Sequence, residues 1–105
     1  MSAMRTVYVR LEADSASAVG RAGVARELGA ALGSQVGAAT GLERVRVLRP
    51  ADAAAERSWD LCVLLEFADA ASCARETEAG GRVDAVLDAQ LGARAVVVKA
   101  WSFVD

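Results

Sequence analysis

Trp59 to Phe67 reads WDLCVLLEF, and its alternation decides the fold. Trp59, Leu61, Val63, Leu65 and Phe67 share one parity and are all apolar, whereas Cys62, Leu64 and Glu66 form a mixed opposite set. Side chains of a strand alternate between faces, so this is a long central strand with one face in a core. Asp69 follows as the N-cap of a helix.

Working towards the N-terminus, Pro50 to Arg57 is a polar, alanine-rich connection. Before it, Leu42 to Leu48 (LERVRVL) sets Val45 and Val47 against Arg44 and Arg46, the pattern of a half-buried edge strand whose arginines discourage stray pairing. A turn at Thr40 and Gly41 precedes it. Asp14 and Ser15 are expected to cap a first helix, with Val24, Leu28, Leu32 and Val36 as its apolar stripe. Arg5 to Leu11 (RTVYVRL) alternates Val7, Val9 and Leu11 with Thr6, Tyr8 and Arg10, making the first strand.

Towards the C-terminus, Ala70 to Glu78 is helical by propensity, Gly80 and Gly81 interrupt it, and Arg82 to Leu91 resumes with Val83, Val86 and Leu87 on one side. Gly92 closes this second helix and Ala95 to Val104 (AVVVKAWSFV) is the last strand. The order βαββαβ predicts an α+β, ferredoxin-like fold: a four-stranded antiparallel sheet with both helices on one face. Residues 1–105 are expected to be one domain.

Composition bounds the function. With 54% hydrophobic and 25% charged residues the chain has the apolar content of a folded globule. A net charge of -2 supplies no cationic surface for counterion release, so no nucleic acid is expected as partner. The start MSAMRTVYVR lacks a basic region ahead of an apolar core, and no run approaches a bilayer span, so no membrane partner and a cytoplasmic location are expected. Cys62 and Cys73 lack metal or redox spacing. No histidine is present, which excludes Ser-His and Cys-His nucleophile systems and histidine-ligated haem. Asp84 and Asp88, four apart on a helix, make a poor metal site by themselves. No metal and no cofactor is expected.

The second face of the sheet is too apolar for water. Tyr8, Cys62, Leu64, Trp101 and Phe103 would lie there, interspersed with Arg10, Glu66 and Lys99. An identical subunit is the expected cover, with Arg10, Glu66 and Lys99 pairing at its rim.

Ser58 to Ala71 (SWDLCVLLEFADAA), between a strand and a helix, resembles the stress-responsive A/B barrel (Dabb) family of dimeric α+β barrels. That family shows an aromatic-Asp/Thr start to its third strand and a Phe near the strand's end, both present here. It then shows a tyrosine and an HPxH motif in the second helix. Glu76 stands where the tyrosine would be, and Ala79, Gly80, Gly81 and Arg82 where HPxH would be, so the acid/base chemistry of the family's olivetolic acid cyclase branch does not transfer. The resemblance implies a ligand cavity between sheet and helices, lined by Arg5, Val7, Val9, Trp59, Leu61, Val63, Val96 and Val98, with Glu76 and Arg82 at its mouth. The expected function is a homodimer binding a small, largely apolar molecule there, as an accessory or cyclase-like protein. The alternatives are a non-catalytic dimer with a filled core and a cofactor-free oxygenase.

Overall fold

The computed structural model of the chain describes residues 2–105. The elements are β1 (Ala3–Leu11), α1 (Ala18–Gly33), β2 (Leu42–Leu48), α2 (Ala53–Ser58), β3 (Leu61–Phe67), α3 (Ala70–Thr77), α4 (Arg82–Leu91) and β4 (Ala95–Val104). Short 3-10 turns precede α1 and β4. The strands form one antiparallel sheet in the order β2-β3-β1-β4. This is the ferredoxin-like arrangement that the alternation around Leu61 predicts, with β2 at an edge and the second helix divided at Gly80 and Gly81. Among the described residues no helix is long and apolar enough to cross a membrane.

The core lies between the sheet and α1, α3 and α4. Val7, Val9 and Leu11 of β1 and Leu61, Val63, Leu65 and Phe67 of β3 meet Val24, Leu28 and Leu32 of α1, Cys73 of α3, and Val83 and Leu91 of α4. Burying a side chain the size of Leu28, Leu32 or Phe67 contributes about 1.5–3 kcal/mol, so this layer dominates the stability of the chain.

Three local features differ from expectation. The cap of α1 is Ser17, whose hydroxyl accepts the Gly20 N–H at 3.1 Å; residues 13–15 form a 3-10 turn, and the helix ends at Gly33, leaving Val36 outside it and exposed. The connection before β3 holds the short helix α2, capped by Asp52, which accepts the Ala55 N–H at 2.8 Å. Six residues are too few for a periodic signal. The third is a bulge in β4: Tyr8 pairs with Lys99 but Val9 pairs with Val97, so Val98 is the extra residue. Val97 and Ala100 therefore face the helices, and Val96 and Val98 do not.

Gly41 joins the sheet to α3. Its φ is +76°, its carbonyl accepts the Ala68 N–H at 2.8 Å, and a Cβ there would stand 2.6 Å from the Cβ and Oγ of Ser72. Gly41→Ala is expected to cost about 1–3 kcal/mol in urea unfolding. A loss below about 0.5 kcal/mol would show that the turn relaxes freely.

Asp69 caps α3 by accepting the Ser72 N–H at 2.7 Å, and the Ser72 amide and hydroxyl hold its carboxyl below the ordinary carboxylate range. A depressed folded value stabilises the fold above the unfolded value, and that contribution disappears as pH falls through the folded one. Asp69→Asn, which keeps a cap, should flatten the acid limb of unfolding free energy against pH. An unchanged limb would remove Asp69 from it.

Candidate functional site

The two sheet faces hold different features. On the helix side, β1, β4, α3 and α4 enclose a cleft of about 150 Å³. Its apolar walls are Val7, Leu87, Leu91, Val97 and Ala100, and its polar groups are Arg5, Thr77, Asp84 and Asp88. The Arg5 guanidinium donates to the Ser102 hydroxyl at 3.1 Å, which holds it across the β1–β4 pair. The volume suits a benzene-sized group, since an apolar cavity of about 150 Å³ accepts one.

Of the eight residues expected to line a ligand cavity, Arg5 and Val7 lie on this cleft. Val9, Leu61 and Val63 have no exposed surface and are packed solid in the core, so they line nothing. Glu76 is 7% exposed on α3, and its Oε2 has no hydrogen-bond partner among the described residues; it is not part of the cleft wall. Arg82 is exposed, and its guanidinium donates to the Ala38 carbonyl at 2.9 Å, tying α4 to the loop before β2. Neither lines the Arg5 cleft.

Trp59 and Val98 lie on the opposite side of the sheet. Trp59 precedes β3 and packs edge-on against Tyr8, with ring centroids 5.5 Å apart. The parity of the strand breaks at Asp60, whose carboxylate turns to the helices, and Trp59 goes the other way. Val98 is carried over by the bulge and is 48% exposed.

That second face brings together the residues expected at a dimer interface. Register places Tyr8 beside Cys62 and Lys99, Thr6 beside Leu64 and Trp101, and Met4 beside Phe103. Trp101 and Phe103 remain 49% and 47% exposed. Burial pushes the Cys62 thiol up, against a smaller opposing contribution from the Tyr8 hydroxyl. Two expected rim charges are engaged within the chain. Arg10 donates to the carbonyls of Glu56, at 2.9 Å, and of Arg57, closing the end of α2, and Glu66 sits 3.7 Å from Arg44.

Two residues here carry more than their sequence positions suggested. Thr6, between Leu64 and Trp101, is buried with its Oγ1 unpartnered among the described residues. Asp60, only 2% exposed, accepts Arg21 Nε and Nη2 at 3.0 and 2.8 Å through Oδ1, and the Leu11 N–H at 2.8 Å through Oδ2. Arg10 lies 3.6 Å from the same carboxylate, and Arg21 3.9 Å from Glu56. A buried carboxylate needs such partners, and this cluster fastens α1 and α2 to the end of the sheet.

No family model and no curated protein matches the sequence. Solved structures do resemble it. HapK from Hahella chejuensis is 18% identical with a TM-score of 0.65, over 100% of this chain and 92% of that one. A dimeric ferredoxin-like protein of unknown function from Jannaschia sp. CCS1 is 20% identical over the full length of both chains, with a TM-score of 0.61. A Dabb family protein with a ferredoxin-like fold from Mesorhizobium loti is 18% identical over 99% of this chain and 96% of that one, with a TM-score of 0.62. The likeness suggested by Ser58 to Ala71 thus extends to the architecture, and the chain has the ferredoxin-like fold of these dimeric and Dabb proteins.

Proposed function

We propose that the chain acts as a homodimer in which two open sheet faces pack as a dimeric α+β barrel, each subunit holding a small, largely apolar molecule in the Arg5 cleft. The observation that carries this is the open face itself. Tyr8, Leu64, Trp101 and Phe103 form an apolar surface around the Thr6 hydroxyl, which has no partner among the described residues, and a lone antiparallel sheet in water favours a polar outer face. The dimeric state of the Jannaschia protein supports the same arrangement. The cleft supports the ligand class: five apolar walls accept a hydrocarbon body, while the Arg5 guanidinium offers donors to one polar group.

One observation favours a second reading, in which the dimer itself is the functional unit. Val9, Leu61 and Val63 leave no space between sheet and helices beneath β3. Phenol separates the two readings, because a ligand that binds the folded state raises its melting temperature with the logarithm of ligand excess. The binding reading expects a rise in the wild type and none in Ala100→Leu, which fills the cleft. Equal shifts in both proteins, or none in either, would leave the filled-core dimer.

A further inference from the structure

The open face carries a second cleft, on the other side of the sheet from Arg5 and built by one chain alone. Its volume is about 310 Å³, and Tyr8, Ser58, Trp59, Val98, Lys99 and Trp101 line it. Tyr8 forms the floor. The indoles of Trp59 and Trp101 stand edge-on to it, with centroids at 5.5 and 6.1 Å and ring planes inclined by 63° and 71°. The bulge in β4 brings Val98 to this side and sets Lys99 opposite Tyr8. The Lys99 ammonium lies 5.1 Å from the Trp101 ring centroid and takes part in no ion pair among the described residues.

We infer that this cleft binds a small planar aromatic anion, with its ring against Trp59 and Trp101 and its carboxylate on the Lys99 ammonium. Flat rings pack on indole and phenol surfaces in offset or edge-on geometry. The wall includes one cation and no carboxylate, so a cationic ligand would meet repulsion, whereas an anion gains a charge-assisted contact. The volume is at the lower end of small-molecule sites, which run from about 300 Å³ upward, and limits the ligand to one or two fused rings. The Ser58 hydroxyl already donates to the Ala54 carbonyl at 3.0 Å, which leaves Lys99 as the polar determinant. The cleft is distinct from the Arg5 cleft and opens on the same sheet face that the proposed dimer would cover.

The two tryptophans of the chain are the two indole walls, so their indole N–H resonances report the site directly. Naphthoate should shift both signals saturably, with a dissociation constant on the order of 1 mM or tighter for a ligand of this size. The neutral naphthamide should bind about tenfold more weakly, and Lys99→Met should reduce naphthoate to the same level. Trp101→Ala should abolish the response of the Trp59 signal to both. Unshifted indole signals, equal affinities for the two compounds, or an unchanged affinity in Lys99→Met would each overturn the inference. Diffusion measured in the same samples gives the subunit count independently. A dimer with silent indoles would mean that the partner fills the cleft, which overturns the ligand while leaving the dimer standing.

Discussion

Asp60→Ala is expected to lower the unfolding free energy by about 3–5 kcal/mol, the range for removing one partner of a buried ion pair. The substitution leaves the Arg21 guanidinium, 19% exposed, without its bidentate acceptor and the Leu11 N–H without its partner. Arg10 retains the α2 carbonyls, so the loss concentrates on the attachment of α1. Asp60→Asn keeps an acceptor for the Leu11 N–H and should fall between alanine and wild type in urea denaturation. If alanine costs less than about 1 kcal/mol, water or Glu56 replaces the carboxylate and the cluster is dispensable.

Leu64→Asp is expected to convert the proposed dimer to monomer with little change in secondary structure. Leu64 is half-buried near the middle of the open face, opposite Thr6 on β1 and Arg46 on β2. In a lone chain the new carboxylate reaches water. In a face-to-face dimer it is buried twice about the symmetry axis, and desolvating a charge costs several kcal/mol even with the Arg46 guanidinium beside it. Sedimentation should show the dissociation constant rising by at least about a hundredfold, while circular dichroism stays that of wild type. A variant that remains as dimeric as the wild type would place the interface elsewhere.

The parts of the molecule that were legible in sequence are those where side-chain alternation is unbroken. In β1 and β3 each apolar residue on the helix side is flanked by polar or mixed neighbours, so Val7, Val9, Leu61 and Val63 were assigned to the correct face. In β4 the run Ala95 to Val98 is apolar at every position, and parity cannot be read where both faces would accept the residue. The bulge at Val98 exploits that freedom, so the valines before it face opposite to extrapolation while Lys99, Trp101 and Phe103 face as expected.

Trp59 shows a second limit. Its spacing from Leu61 suits the core, but Asp60 is drawn inward by Arg21, 39 residues earlier in the chain and on another element, and the backbone turns with it. Pairings across 39 residues of chain leave no local pattern. The stripe Val24, Leu28, Leu32 on α1 fills the space under β3, so the room between sheet and helices lies towards β4. There Val97 and Ala100 face α4 across the Arg5 cleft. The family likeness supplied the architecture and the idea of a cavity, but among the residues carried over to it only Arg5 and Val7 line the cleft between sheet and helices.

The open face as a contact between two copies is tested most directly by isotope-filtered nuclear Overhauser spectroscopy on a mixture of labelled and unlabelled chains, which records only contacts between subunits. Intersubunit signals centred on Thr6, Leu64 and Trp101 are predicted. Their absence at concentrations where the chain is fully folded, or signals that connect α1 or α4 instead, would contradict a dimer built through the sheet.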